Sequence, residues 1–176
     1  MDYIFDDLPL HVLLVHAVIV LVPLVGLALV VIAAWPAARR VLWLPLLIAA
    51  ALLVPLGLVT IEAGKWLQAR VPVAPLIQEH TSIGESIVPW LWALLGVAVL
   101  VAAWAVIELV AARRSADSVD ADDRRLARGI RIAVGAVLTI AALAVTAGAS
   151  WTVFQIGESG SRAVWEGSFS DEPLER

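Results

Sequence analysis

The sequence predicts an all-α membrane protein, an antiparallel four-helix transmembrane bundle with both termini on the outer side. The 176 residues are 61% hydrophobic and only 16% charged, which is too apolar for a soluble domain of this size. Four segments carry few or no charges over roughly 20 residues, the length that crosses about 30 Å of hydrocarbon. The basic residues are concentrated on two of the connections between these segments, which indicates an orientation in the membrane.

A single domain over residues 1–165 is predicted to hold all four spans, at about residues 8–35, 41–62, 85–110 and 130–154. Residues 166–176 are predicted to form a flexible acidic tail. The chain opens on acidic residues, whereas a secretory signal peptide opens on basic ones, so we expect the first span to be retained.

The first two spans are predicted to lie side by side. A short turn from Trp35 to Val41 carries Arg39 and Arg40, and such a turn makes the second span an antiparallel neighbour of the first. The outer third of the second span contains four small or weakly polar residues, which suit close contact between helices. These residues are Gly57, Thr60, Ala63 and Gly64.

The third span can begin near residue 85 or earlier, at Pro75, and the earlier start puts His80 inside its helix. Residues 112–128 interleave four aspartates with five arginines, which indicates a solvated loop or an amphipathic surface segment. A role of these arginines in binding lipid headgroups is an alternative. The fourth span is rich in small residues and is predicted to be the most tightly packed. A turn at Gly157 and Gly160 is predicted to fold the following segment back onto the outer face.

Orientation follows from the basic residues. Eight arginines lie on the connections after the first and third spans, against four basic residues on the opposite side. The positive-inside rule therefore places the arginine-rich connections in the cytoplasm. The three histidines then lie toward the outer face.

His11, His16 and His80 are the candidate cofactor-binding residues, because polar groups inside a membrane are functional by default. A helix rises 1.5 Å per residue, and counting from the inner tryptophans puts His11 level with His80. The same count puts His16 level with Glu62. His11 and His16 are separated by about 140° around a helix, so we expect them to face different neighbours.

The chemistry of these residues leaves several sites open. His11 and His80 can be axial ligands of haem b, and His16 with Glu62 can belong to a divalent metal or proton site, with Glu158 as a further candidate ligand. The chain has no cysteine, so His, carboxylate or Met would have to hold any metal. The structural alternative is that the histidines only form hydrogen bonds, and that Glu62 pairs with Lys65. No catalytic motif is present, so enzyme activity is not indicated.

Several motifs together resemble a known family of small four-helix bacterial membrane proteins, domain of unknown function 2231, in its actinobacterial form. They are Leu8-Pro9-Leu10-His11, then Leu14-Val15-His16, an outer His80, and Gly157-x-Ser159-Gly160-x-x-Ala163-Val164-Trp165. The resemblance covers nearly the whole chain. It implies a multi-pass protein of the bacterial cytoplasmic (inner) membrane and brings no established activity.

Some members of that family are joined to Rieske-type iron–sulfur domains, which implies electron transfer, but we expect no such domain within these 176 residues. Relatives often carry His where Glu158 stands, and Phe-Pro where Ala17-Val18 stands. A metal site that used the C-terminal motif would therefore lose a nitrogen ligand here.

Three functions remain open from the sequence. The first is a small cytochrome-like or redox-associated subunit with its histidine site near the outer face. The second is a non-enzymatic structural or assembly subunit, and the third is a transporter or proton-path component that uses His16 and Glu62. The expected partners are the lipid bilayer, a redox or other membrane protein and a second copy of the chain, with no nucleic acid.

Overall fold

The computed structural model describes residues 2–114, 121–170 and 173, and this part of the chain is almost entirely helical. Four of its helical segments are long and apolar enough to cross a membrane, which confirms the predicted class. The helices are α1 Leu10–Ala34, α2 Pro36–Gln68, α3 Pro75–Gly84, α4 Val88–Arg114 and α5 Ala121–Trp165. A 3₁₀ turn, Glu85–Ile87, joins α3 to α4, and Pro75–Arg113 forms one continuous candidate span.

A small hairpin precedes the first helix. Strands β1 Ile4–Phe5 and β2 Leu8–Pro9 pair antiparallel. The turn between them has φ of 49° at Asp6 and 60° at Asp7, and positive values at both central residues suit a tight hairpin. The first helix consequently begins at Leu10, two residues after the start of the predicted span.

The predicted turn from Trp35 to Val41 is wrong, because α1 and α2 are separated only by Trp35. The ring of a proline makes the helical conformation unfavourable for the residue before it, and Trp35 is accordingly extended, with φ −114° and ψ 103°. Pro36 then begins α2, since its fixed φ suits the first helical position and its missing N–H has no partner there in any case. Arg39 and Arg40 therefore lie in the helix and not in a loop.

The third predicted span begins at the earlier of its two alternatives, Pro75, so that His80 lies inside α3. The predicted turn at Gly157 and Gly160 is wrong, because α5 continues to Trp165. Glycine costs a helix only about 1 kcal/mol relative to alanine, and contacts with neighbouring helices offset this cost. Residues 112–114 and 121–128 of the predicted connection belong to α4 and α5, and residues 115–120 lie outside the described residues. Of the predicted acidic tail, residues 171, 172 and 174–176 also lie outside them.

The four long segments share one apolar core, in which α1 contacts α2 and α5, and α4 contacts the same two helices. Leu29, Ile32, Leu91, Leu94 and Val101 are fully buried there. Many other large apolar side chains point outward on all four segments, as lipid contact requires.

The fourth span, which the sequence predicts to be the most tightly packed, is the least buried of the four. Its most apolar window is 22% buried, against 39% for the first and third spans. Its small residues act at single contacts: Gly148 packs against the ring of Trp90, and Thr146 packs against Gly26. The opposite side of α5 exposes large side chains such as Trp151 and Phe154.

Candidate functional site

Two of the three histidines meet at one end of the core. His11 lies in the first turn of α1, His80 lies in α3, and their ring centroids are 6.2 Å apart with an angle of 68° between the ring planes. Both side chains are partly buried. The sequence prediction that these two residues lie at the same level is confirmed as a direct contact.

The hydrogen bond of His11 identifies its tautomer. His11 Nδ1 lies 2.9 Å from the backbone oxygen of Thr60 in α2. A carbonyl oxygen can only accept, so Nδ1 carries the hydrogen and donates it. In the neutral imidazole the lone pair then lies on Nε2.

His80 is held in the same way by α5. Its Nδ1 lies 3.0 Å from Ser159 Oγ, and the Ser159 hydroxyl donates its hydrogen to the backbone oxygen of Ile156 at 2.9 Å. The serine oxygen therefore accepts from His80 Nδ1–H, and Ser159 is itself buried. His80 thus has the same tautomer as His11, with its lone pair on Nε2.

Each imidazole also lies against a glycine of the helix that holds it. A Cβ atom added to Gly64 would lie 2.9 Å from His11 Nδ1, and one added to Gly160 would lie 3.0 Å from His80 Cε1. Real Cβ atoms almost never approach other atoms so closely, so a larger residue would have to displace the ring. The position of the His11 ring is therefore fixed by an oxygen and a glycine of α2, Thr60 and Gly64. The position of the His80 ring is fixed in the same way by Ser159 and Gly160 of α5.

The remaining candidate ligands have other partners. His16 is exposed, and its Nδ1–H donates to a backbone oxygen one turn earlier in α1, at 2.6 Å. Glu62 is exposed and accepts from Lys65 at 3.0 Å, which confirms the predicted ion pair. Glu158 is exposed and pairs within α5. Among the described residues, the contacts of His16 and Glu62 are thus a hydrogen bond within α1 and an ion pair within α2, and they do not connect the two residues.

Lys65 also joins α2 to the 3₁₀ turn near the histidines, through a 2.8 Å ion pair with Glu85. This ion pair is exposed, so its contribution to stability is small. Within the part of the chain that the structure describes, no three His, Asp or Glu side chains converge as metal ligands. A closed, four-ligand site of the structural zinc type is therefore not formed by these residues.

A second polar site lies at the other end of the core, and the sequence prediction missed it. Arg39 of α2 is 1% exposed and binds both carboxylate oxygens of Glu108 in α4, at 3.0 and 3.1 Å. Its Nη1 also donates to the backbone oxygens of Ile32 and Ala33, at 3.0 and 2.7 Å. One guanidinium thus joins the end of α1 to α2 and α4. The sequence feature that points to this site is Glu108, a carboxylate within an apolar span, because a membrane span rarely contains a charge without a function or a partner.

No family model, curated protein or solved structure matches this chain. The two polar sites therefore supply the arguments about function. Of these, the histidine site contains groups that bind metals, whereas the Arg39 site joins groups whose charges already compensate each other.

Proposed function

We propose that the chain is a small cytochrome-like or redox-associated protein of the bacterial cytoplasmic membrane, in which His11 and His80 together hold one metal centre. The observation that carries this proposal is the contact between two imidazoles whose Nδ1 hydrogens are both directed to oxygens of neighbouring helices. A ligating histidine is commonly held in this way, with the second nitrogen hydrogen-bonded and Nε2 left for the metal.

The ring separation supports a shared metal ion. Two imidazoles that bind one ion from opposite sides, with metal–nitrogen bonds of about 2.0 Å, have ring centres roughly 6 Å apart. The separation of 6.2 Å between His11 and His80 matches this value. Neutral imidazoles suit iron and copper as well as zinc.

Two protein ligands leave the remaining coordination positions open. Structural metal sites are closed by protein ligands, whereas sites that react keep open positions. His11 and His80 would hold a bare iron or copper ion, or the iron of haem b, which would supply one-electron chemistry there. The bare ion and the haem are distinguished by the absorption spectrum.

The same proposal includes an antiparallel arrangement, with the histidine site near the outer face. It is supported by contacts in which the start of α1 meets the end of α2, and the end of α5 meets α3. The positive-inside rule supports arginine-rich connections in the cytoplasm and termini outside. Because the chain has no cysteine, single cysteines at the exposed Ser161 and Ala37 can report the two sides. Labelling of Ser161→Cys from the outside and protection of Ala37→Cys is the expected result; the reverse would refute the orientation.

A structural subunit is the second candidate, and the same hydrogen bonds favour it. The bond from His11 to Thr60 joins α1 to α2, and the bond from His80 to Ser159 joins α3 to α5. In that case the histidines stabilise the packing and hold no metal.

Metal analysis and an absorption spectrum of the purified full-length protein separate these functions. We expect about one iron or copper per chain, and a Soret band if the iron belongs to haem. His16→Ala should keep the metal, because His16 is exposed and bonded to its own helix, whereas His80→Ala should lose most of it. Folded wild-type protein that contains no stoichiometric metal after growth with iron and copper would refute the redox proposal and leave the structural one.

A further inference from the structure

A groove opens at the end of the core opposite the histidines, between the end of α1, the start of α2, Glu108 of α4 and residues 128–140 of α5. It has a volume of about 680 Å³. Four arginines contribute to its lining together with one carboxylate. They are Arg39, Arg40, Arg128, Arg131 and Glu108.

The charges of the groove are not balanced within its described lining. Glu108 is its only carboxylate, and both oxygens of that carboxylate are bound to Arg39. Arg39 is in turn fully occupied in joining helices and is buried. The remaining three arginines, Arg40, Arg128 and Arg131, are exposed and give the described lining of the groove's mouth a net positive charge.

The wall of the groove is apolar and made largely of small residues. Space beside the helices is left by four small residues, Ala33, Ala34, Gly135 and Ala136. The wall continues onto Ile140, which is 66% exposed on the outer surface of α5. The groove therefore has a cationic mouth and an apolar side that continues onto the exposed apolar surface of α5. A soluble anion would contact only the cationic mouth and not the apolar wall.

We propose that this groove binds an anionic phospholipid, with its headgroup phosphate at Arg40, Arg128 and Arg131 and one acyl chain along the apolar wall. Basic pockets between membrane helices bind anionic headgroups because their charges are complementary. A zwitterionic lipid offers no net charge to the three arginines, and free phosphate offers nothing to the wall. The site is separate from the histidines, so it does not depend on the proposed metal centre.

Native mass spectrometry of the full chain, exchanged into equal amounts of phosphatidylglycerol and phosphatidylcholine, measures the preference. We expect the wild type to retain phosphatidylglycerol at least tenfold more strongly. Each arginine replaced by glutamine should reduce this preference by about fivefold, the factor that corresponds to one surface charge. Arg162→Gln is the matched control, because Arg162 is exposed on α5 but pairs with Glu158 and Glu166 away from the groove.

A second variant tests the apolar wall without changing any charge. Ala136→Phe should fill the groove from an exposed position and reduce lipid retention. In a separate experiment on the wild type, inorganic phosphate should fail to displace the lipid. Equal retention of both lipids by the wild type would show that the arginines are neutralised within the chain, and would overturn the proposal. So would an unchanged preference in folded Arg128→Gln/Arg131→Gln, or full displacement by phosphate, which would indicate a simple anion site.

Discussion

The buried ion pair between Arg39 and Glu108 leads to a quantitative prediction about stability. In Glu108→Gln, an amide NH₂ replaces one of the two oxygens that accept from the guanidinium, so a donor faces a donor. The side chain of Arg39 is 1% exposed, and its charge then remains buried without compensation. Breaking a buried ion pair by removing one partner costs about 3–5 kcal/mol, and we expect a loss of this size in the free energy of unfolding.

Reversible unfolding in mixed detergent micelles, followed by tryptophan fluorescence, measures this loss. Arg40→Gln is the matched control: Arg40 is the exposed neighbour on the same helix, and its replacement should change stability by less than about 0.5 kcal/mol. In Arg39→Gln/Glu108→Gln no unpaired charge remains, so the loss should fall short of the sum of the two single losses by about 1–3 kcal/mol. A folded Glu108→Gln variant as stable as the wild type would show that this pair does not hold the helices together.

Two further predictions concern glycines, and the same unfolding measurement checks them. Gly64→Ala places a methyl group against His11, and we expect it to cost about 1–3 kcal/mol and to weaken metal binding, whereas Gly96→Ala, with open space around it, should stabilise α4 by about 0.5–1 kcal/mol. Gly148→Ala puts a methyl group into the ring of Trp90, so it should destabilise the protein at least as much as Gly64→Ala does. Equal effects at Gly64 and Gly96 would contradict the close packing of the imidazole.

Much of the fold follows directly from the sequence, because a membrane span needs a long apolar segment and the rise of a helix is fixed. The same fixed rise explains why counting along the helices pairs His11 with His80. However, counting residues along a helix gives the depth of a side chain in the membrane and not the direction in which the side chain points. His16 is level with Glu62 by the count, yet it is exposed and bonded to its own helix.

The errors at helix ends have a local cause. Trp35 and Pro36 predict the start of a turn, but one extended residue before a proline is enough to end one helix and begin the next. Gly157 and Gly160 predict a turn because glycine is common in turns. In α5 the absence of a side chain at Gly160 instead makes room for the ring of His80.

The partners of the polar residues were the least predictable part. Thr60 and Gly64 are one helical turn apart, so they face the same side of α2, but nothing in the sequence states that His11 lies against them. The pairing of Arg39 with Glu108 likewise depends on the packing of α2 against α4. It also changes the interpretation of Arg39, which the sequence places in a short connection between spans and the structure buries.

The most direct test of the central claim counts the imidazoles on one bound metal ion. Pulsed electron paramagnetic resonance of the copper(II)-loaded protein detects the remote nitrogen of each ligating imidazole, here Nδ1 of His11 and of His80. We predict signals from two imidazoles in the wild type and in His16→Ala, and from one in His80→Ala. A wild-type spectrum without imidazole coupling, or one that His80→Ala leaves unchanged, would contradict a metal centre shared by His11 and His80.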